Sequence, residues 1–228
     1  METYDKLASF YDRRHDNPWT MHMRRAEKPF LKSMHGRILD VGCGTGYHLK
    51  LFPGAIGVDC SEGMLKEARK YGNAVKANAE RLPFADGSFD SALCMFTVLN
   101  QCNANAAIRE MARVLKPGGM CIVSVASVYD HGWSFFQRLR TKNAKKDKLF
   151  TVLDQKIRLR LFAMDEIESM FNEHGLSVKR SRGIFILTTP RWGDVRPLGL
   201  TQRLALSAER LFPKKYGIIY IFALEKSS

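Results

Sequence analysis

A glycine-rich segment between two carboxylates is the part of this 228-residue sequence with the clearest chemical meaning. Gly42, Gly44 and Gly46 form a G-x-G-x-G pattern, and glycines there allow a tight turn and the close approach of a ligand. Asp40 precedes the glycines, where its charge would repel a pyrophosphate and attract an ammonium or sulfonium group. Asp59 ends the next apolar run, where a carboxylate can accept hydrogen bonds from both hydroxyls of a ribose. The spacing therefore predicts a ligand with a ribose and a cationic group rather than a dinucleotide.

Alternating strands and helices must position these residues. Short apolar runs that fit strands are separated by helical segments, which is the pattern of βαβ units and a mostly parallel sheet. The run at 120–125 is apolar almost throughout, as in a strand buried on both faces. The predicted strands are 37–41, 55–59, 74–77, 89–96, 120–125, 176–180 and 216–224, and the alternation over 157–162 is compatible with a further strand. The predicted helices are 3–12, 19–32, 62–70, 103–115 and 165–174.

Residues 38–46 (ILDVGCGTG) resemble the first motif of class I S-adenosylmethionine-dependent methyltransferases. The resemblance continues in order and spacing over the segments 57–61, 79–84, 88–90 and 113–119. The branch of the family that acts on small molecules, including quinone-biosynthesis C-methyltransferases with a methyltransferase type 11 domain, often opens with a Tyr-Asp pair repeated seven residues apart. Tyr4-Asp5 and Tyr11-Asp12 repeat that pair.

The resemblance implies an α/β fold with a particular sheet. We expect a Rossmann-like, doubly wound sheet of seven mostly parallel strands, with one antiparallel strand near the C-terminus and an N-terminal helical lid. The chain would divide into a lid at 1–34, a cofactor-binding core at 35–126, a substrate-cap insertion at 127–160, and the completion of the same sheet at 161–228.

The resemblance also assigns roles in binding S-adenosyl-L-methionine to the positions that match the family motifs. Asp40 would support the glycine loop and Asp59 would hold the ribose. Asn78 would offer its carbonyl oxygen to the adenine amino group, although many relatives have Asp there. Met95 and Phe96 would lie against the methyl donor. The full implied set is Tyr11, Arg24, Asp40, Gly42, Cys43, Gly44, Gly46, Asp59, Cys60, Met64, Asn78, Ala79, Glu80, Met95 and Phe96.

The implied reaction demands few catalytic groups. Methyl transfer from a sulfonium is an in-line displacement that leaves S-adenosyl-L-homocysteine, so the protein supplies position, exclusion of water and at most one proton acceptor. Ligands of open α/β sheets bind at the carboxyl ends of the strands, where residues 127–135 follow the fifth strand. His131, together with Tyr129 and Asp130, is therefore the predicted proton-handling group.

The cysteines indicate neither a disulfide framework nor a metal site. There are five, and none lies in a C-x-x-C or a zinc-type spacing, so we expect small buried apolar residues and no bound metal. Charged residues interrupt the N-terminus, and the apolar runs are far shorter than the ~20 residues that span a bilayer. A cytoplasmic protein with reduced thiols is expected.

The formal net charge of +13 is concentrated in the second half of the chain. Residues 1–125 hold 17 Lys and Arg against 13 Asp and Glu, whereas residues 126–228 hold 19 against 10. The densest basic segment is Arg138–Arg160. It fits a solvated surface, an RNA-binding surface, or a patch that contacts an anionic membrane.

Three functions are consistent with these features. The first is methyl transfer to a small-molecule acceptor, such as a quinone-like compound or a lipid precursor. The second is methyl transfer to tRNA, for which the basic second half would bind phosphates. The third is a subunit that binds the cofactor and activates a partner methyltransferase without catalysing the reaction itself.

Overall fold

A seven-stranded sheet forms the centre of the computed structural model, which describes residues 2–131, 134–141, 144–152, 155–190 and 196–227. The described strands are β1 (Ile38–Val41), β2 (Ile56–Asp59), β3 (Asn73–Lys76), β4 (Phe89–Cys94), β5 (Leu115–Ala126), β6 (Asp147–Val152), β7 (Gln155–Arg160), β8 (Leu176–Ile184) and β9 (Ile219–Lys226). The order in the large sheet is β3-β2-β1-β4-β5-β9-β8, and β9 runs antiparallel to both of its neighbours. The predicted fold class is confirmed, including the single antiparallel strand.

Helices cover both faces of this sheet. The described α-helices are α1 (Glu2–His15), α2 (Pro18–Leu31), α3 (Tyr47–Leu51), α4 (Glu62–Ala68), α5 (Ala104–Val114), α6 (Phe135–Arg140), α7 (Met164–Glu173) and α8 (Leu200–Ala208). Met111 of α5 and Phe171 of α7 belong to one buried cluster. Phe30 of α2 and Leu65 of α4 belong to the other. Burial on both faces explains why residues 120–125 of β5 are apolar almost throughout.

Capping side chains fix where several of these helices begin. Asn17 accepts hydrogen bonds from the backbone N–H groups of Trp19 and Thr20 at 3.1 and 3.0 Å, and a proline follows it at the first helical position. Ser61 accepts from Met64 N at 3.2 Å at the start of α4. The helix starts are therefore local properties of the sequence.

Several strands differ in length from their predictions, and β5 and β9 show two causes. β5 begins at Leu115 rather than at residue 120, and its pairing with β4 shifts register between Phe89 and Ser91. β9 begins at Ile219 rather than at residue 216, because Lys214–Tyr216 forms a short 3₁₀ turn. Both differences concern strand ends, where pairing with a neighbour decides the boundary.

The second half also contains elements that the sequence did not predict, namely α6, the strand β6 and α8. β6 and β7 pair only with each other, as a hairpin outside the large sheet. Leu159 is buried on one side of this hairpin, whereas Arg158 and Arg160 are exposed. The alternation over 157–162 thus reflects the burial of one side of β7, whereas Leu149 of β6 is 65% exposed and that strand depends on pairing with β7.

Arg138 is fully buried, so the prediction that it begins an exposed basic surface is wrong. Its guanidinium donates hydrogen bonds to backbone carbonyl oxygens at 2.7 to 3.1 Å, those of Phe185, Ile186, Thr188 and Tyr216. Burial lowers the pKa of Arg138 to about 10. The side chain joins α6 to the end of β8 and to the segment before β9.

The cysteines are free thiols, and three of the five are buried as predicted. These are Cys43, Cys94 and Cys121, whereas Cys60 is exposed and does not follow the prediction. In the part of the chain that the structure describes, no group of His, Cys, Asp and Glu is arranged to hold a metal ion. No described helix is both long enough and apolar enough to cross a bilayer.

Candidate active site

The glycine-rich loop crosses the carboxyl end of β1 and leads into α3. Gly42 donates its backbone N–H to the Val58 carbonyl at 2.7 Å, and Gly44 donates to Oδ2 of Asp59 at 2.9 Å. At Gly42 φ is +72°, and a Cβ there would lie 2.3 Å from a methyl carbon of Val98, so only glycine fits. A Cβ on Gly44 would meet none of the described atoms within 4 Å, because this residue faces a cavity. The loop therefore leaves space for a ligand beside Gly44.

Asp59 ends β2 beside this loop. Besides the bond from Gly44, its Oδ1 accepts a hydrogen bond from Ser61 N at 2.9 Å. Burial nevertheless raises the pKa of Asp59 above its usual value. Each carboxylate oxygen has a further lone pair, so the side chain can still accept bonds from two hydroxyl groups. The ribose contact stays a prediction that this geometry permits.

The residues expected around the adenine lie on the loops that follow β2 and β3. Met64 is buried beneath α1, and Cys60 is exposed. Asn78 Oδ1 accepts a hydrogen bond from Glu80 N at 2.9 Å, while Ala79 packs against the sheet core. The Asn78 carbonyl therefore shapes its own turn and keeps one lone pair for a ligand.

The Tyr-Asp repeat in α1 anchors the helical lid. Asp5 Oδ1 accepts hydrogen bonds from Ser61 Oγ at 2.6 Å and Gly63 N at 2.8 Å. Asp12 Oδ1 accepts from Thr45 Oγ at 2.6 Å. A spacing of seven residues is about two helical turns, so both carboxylates lie on one side of α1. The repeat thus attaches α1 to the start of α4 and to the glycine loop.

A cavity of about 210 Å³ lies between the lid, the glycine loop and the ends of β4 and β5. A single water needs only about 10–15 Å³ of such space, so the cavity is large enough for an organic ligand. Of the expected cofactor residues, those that line it are Tyr11, Arg24, Gly42, Cys43, Gly44, Met95 and Phe96. Asp40, Gly46 and Asp59 belong to the loop and its supports rather than to the cavity wall.

Two residues after β4 adopt a strained backbone at the cavity. Phe96 has a φ of +59° and Thr97 a φ of +72°, a region that side chains other than glycine rarely adopt. Phe96 N donates to Ser124 Oγ of β5 at 2.8 Å, which holds the turn. Such strain concentrates at functional sites, and here it directs both residues into the cavity wall.

The lid also supplies a cation to the cavity. The guanidinium of Arg24 lies 3.6 Å from the centre of the Tyr47 ring, and its Nε is buried without a hydrogen-bond partner in the described structure. Tyr11 lines the same cavity, and burial raises the pKa of its hydroxyl far above the usual range. The site therefore offers a charged donor and a neutral hydroxyl to an anionic or polar ligand group.

Glu27, Asp40 and His48 form a buried cluster that the sequence did not reveal. They are 1%, 1% and 4% exposed. His48 Nε2 lies 3.6 Å from Glu27 Oε1, and His48 Nδ1 lies 3.8 Å from Asp40 Oδ2. The imidazole also stacks on the Phe96 ring, with 5.8 Å between ring centres. A glutamate on the buried side of an amphipathic helix was the one available signal for this cluster.

The charges of the cluster depend on one another. Burial alone would lower the pKa of His48, but Glu27 and Asp40 raise it above its usual value. Burial raises the pKa of Asp40 to about 6. Because both ring nitrogens face carboxylates, His48 is placed to compensate buried negative charge rather than to act as a base in the cavity. The cluster connects the lid helix α2 to the strand that leads into the glycine loop.

An ion pair lies at the end of the cavity beyond β5. Asp130 Oδ1 is 3.0 Å from Lys148 Nζ of the hairpin, and both residues line the cavity beside Ala126 and Leu159. Burial raises the pKa of Asp130. A half-buried carboxylate with a raised pKa is a suitable proton acceptor, and the adjacent ammonium keeps it ionised.

Tyr129 and His131, which were predicted together with Asp130 to handle a proton, lie away from the described lining of the main cavity. His131 Nε2 lies 2.9 Å from the Lys145 carbonyl oxygen. Tyr129 lies in a second depression, with its ring 5.7 Å from that of Tyr216. Of Tyr129, Asp130 and His131, only Asp130 is among the described residues that line the main cavity. Which of the three side chains lines the cavity depends on the conformation of the turn after β5, which the sequence pattern does not reveal.

The polar groups of the cavity and the glycine loop fit an S-adenosylmethionine molecule. The space beside Gly44 would take the methionine part, and the unpartnered Nε of Arg24 suits its carboxylate. Asp59 would hold the ribose, with Tyr11 above the donor. Bound there, the cofactor supplies a methyl group activated by a sulfonium.

Comparison with known proteins identifies the family. A family model described as a methyltransferase domain matches residues 39–123. A ubiquinone/menaquinone biosynthesis C-methyltransferase UbiE from Hahella chejuensis is 30% identical over 206 residues, which cover 77% of this chain and 82% of the relative. The chain belongs to the class I S-adenosylmethionine-dependent methyltransferases. S-adenosyl-L-methionine is therefore the cofactor of this methyltransferase.

Further comparisons agree with this membership. An uncharacterised protein of Methanocaldococcus jannaschii is 38% identical to the methyltransferase over 205 residues, covering 83% of this chain and 80% of the relative. The crystal structure of a SAM-dependent methyltransferase from Thermotoga maritima shares the fold, with a TM-score of 0.65 and 24% identity, and covers 100% of this chain and 99% of its own.

Proposed function

We propose that this methyltransferase methylates a small-molecule acceptor inside the cavity beneath the lid. The observation that carries the proposal is the enclosure of that cavity by parts of the chain that are distant in sequence. Helices α1 and α2, the glycine loop, the strained turn after β4 and the β6–β7 hairpin all contribute lining residues. An acceptor small enough to enter would be separated from water and held in line with the methyl group.

The lining supports an aromatic or quinone-like acceptor. The rings of Tyr4, Tyr11, Tyr47 and Phe96 line the cavity together with aliphatic side chains. Aromatic rings stack favourably in offset or edge-to-face arrangements. The quinone-biosynthesis activity named for the Hahella chejuensis relative supports the same class of acceptor.

We assign the proton acceptor to Asp130. It lines the cavity on the side away from the glycine loop, where a phenol, enol or amine would present its proton. Lys148, at 3.0 Å, orients the carboxylate. The hairpin also contributes Leu159, which supports the division in which residues 127–160 form a cap over the substrate.

Methylation of tRNA is less well supported by the basic segment Arg138–Arg160. Arg138 is buried, and four other described cations of the segment pair with carboxylates. Lys146 and Arg160 pair with Glu166, and Arg158 pairs with Asp147. Paired cations have less charge to offer phosphates.

Cytoplasmic residence is part of the proposal, and the free thiols support a reducing compartment.

Transfer of a labelled methyl group tests the proposal. The full chain is incubated with methyl-labelled S-adenosylmethionine and either a panel of phenols, hydroquinones and amines or bulk tRNA. We expect label on a small aromatic acceptor, and about a hundredfold loss of kcat for Asp130→Asn, since general bases contribute about 10²–10⁴-fold. Asp165→Asn, at an exposed carboxylate of α7, is the matched control. Label on tRNA alone would overturn the proposal.

A further inference from the structure

A row of exposed leucines runs along α8 and the turn that follows it. Leu200, Leu204 and Leu211 are 73%, 61% and 85% exposed. Residues four and seven positions apart lie on one side of a helix, and the 3₁₀ turn Glu209–Leu211 continues α8 directly. We call these three residues the leucine face.

The side of α8 opposite the leucine face packs against the core, so the leucine face points towards solvent. Leu206 is buried in the same cluster as Met23 and Ile219, which line the cavity. Helix α8 is therefore fixed against the back of the cavity wall. Because its inner side is already packed, the exposed leucines are a separate surface and not a misplaced part of the core.

Helix α6 extends this surface. Phe135 packs against Phe212, just beyond α8, with 5.3 Å between ring centres. Phe136 and Leu139 on the same short helix are 71% and 46% exposed. Large apolar side chains therefore project from two neighbouring elements at one end of the molecule.

The charges beside the leucine face are positive. Arg203 and Arg210 are exposed, and their spacing of seven places both on one flank of the leucine row. Lys214 and Lys215 follow and are exposed as well. Glu209, the one acidic residue from 196 to 216, is buried and bound in internal ion pairs. This surface thus combines projecting aliphatic side chains with cations that form no ion pair with any carboxylate in the part of the chain that the structure describes.

We propose that the leucine face docks this protein on the surface of an anionic lipid bilayer. An amphipathic helix with an apolar side and flanking Lys and Arg lies in the interface, with its apolar side among the acyl chains and its cations at the headgroups. Projecting leucines need a fluid apolar phase, whereas a protein partner would need a matching groove. RNA surfaces prefer aromatic stacking over aliphatic contact. The inference goes beyond the proposed function and does not depend on it.

Co-sedimentation of the full chain with lipid vesicles tests this docking. The wild type should sediment with vesicles of three parts phosphatidylcholine to one part phosphatidylglycerol, and remain in solution with phosphatidylcholine alone. Leu204→Gln combined with Leu211→Gln should lower the partition coefficient roughly a hundredfold, since each buried leucine is worth roughly tenfold. Arg203→Gln combined with Arg210→Gln should lower it roughly tenfold on the anionic vesicles only.

A control variant and two further measurements separate the alternatives. Val75→Gln changes an exposed residue of β3, at the opposite edge of the sheet, and should bind like the wild type. Equal thermal midpoints for all variants would show that folding is unaffected. The proposal is overturned if the leucine variant binds vesicles normally, if sedimentation velocity shows a dimer that this variant abolishes, or if tRNA binds through the arginines and vesicles do not.

Discussion

Single side chains determine how the methyltransferase would distinguish its cofactor from other nucleotides. Asp59 lies beside the glycine loop and Arg24 lines the cavity, and we propose that the first binds hydroxyl groups and the second a carboxylate. Neither could replace the other, because a carboxylate accepts hydrogen bonds and a guanidinium only donates them. Glu27, Asp40 and His48 lie behind the loop and balance charge where water does not reach.

Replacement of Asp59 should weaken cofactor binding more than stability. Asp59→Ala is expected to raise the Kd for S-adenosylhomocysteine about a hundredfold, because two hydrogen bonds to a charged acceptor are worth about 1.5–3 kcal/mol each. Isothermal titration calorimetry measures this. Glu67→Ala, at a partly exposed carboxylate of α4 that pairs with Lys70, should leave the Kd unchanged. An unchanged Kd in Asp59→Ala would remove this residue from the site.

Replacement of Glu27 should lower the pKa of His48. Glu27 and Asp40 raise that pKa, while burial and Arg24 oppose them. A histidine with a raised pKa contributes stability below its unfolded pKa of about 6.5, and loses that contribution as pH rises through its folded value. The stability difference between wild type and Glu27→Gln should therefore be largest at acidic pH and shrink as pH rises.

Nuclear magnetic resonance titration of the His48 ring protons measures this pKa directly. The wild type should titrate above the usual histidine value, and Glu27→Gln should titrate lower. A second variant, Glu67→Gln, carries the same chemical change at a partly exposed glutamate that pairs with Lys70, and should leave His48 unaffected. A His48 pKa that stays the same or rises in Glu27→Gln would contradict the charge coupling.

At the level of elements, the lid and the core are joined by capping contacts. The two aspartates of α1 accept hydrogen bonds from groups at the start of α4 and in the glycine loop. Helix N-termini and tight loops have unpaired N–H groups, so carboxylates stabilise them. The lid is thereby attached to the same loop that would hold the cofactor.

Loss of these contacts should loosen α1. Asp5→Ala combined with Asp12→Ala is expected to increase the amide exchange rate of α1 about fivefold or more, since a capping bond is typically worth about 1 kcal/mol. Hydrogen–deuterium exchange with mass spectrometry resolves this helix from the rest. Asp16→Ala, at an exposed carboxylate between α1 and α2, should exchange like the wild type. Unchanged exchange in the double variant would show that packing alone holds the lid.

Across the whole molecule, the cations behind the net charge of +13 occupy different environments. Arg138 is buried in the interior, Arg24 lines the cavity, and Lys148 and Arg160 form ion pairs. The exposed cations after residue 200 accompany the leucine face instead. A total charge therefore says little about partners until each cation has been located.

Arg138 should matter for the stability of the entire fold. Arg138→Met leaves several buried carbonyl oxygens without donors, and each costs about 1–3 kcal/mol, so we expect a loss of about 3 kcal/mol or more. Urea denaturation measures the free energy of unfolding. Arg140→Met, two residues on and exposed, should change it by less than about 0.5 kcal/mol. Equal stability of the two variants would contradict the structural role.

The sheet, the glycine loop and the positions of Asp40 and Asp59 could be predicted from the sequence alone. Those features follow from local patterns, because strand alternation, helix caps and turn glycines depend on neighbours along the chain. Which side chains come together at the cavity and in the core depends on the tertiary structure. It placed Asp130 rather than His131 at the cavity, and it buried Arg138. Such outcomes depend on distances between remote segments and on which side of an element faces inward, and neither is written in any single stretch of sequence.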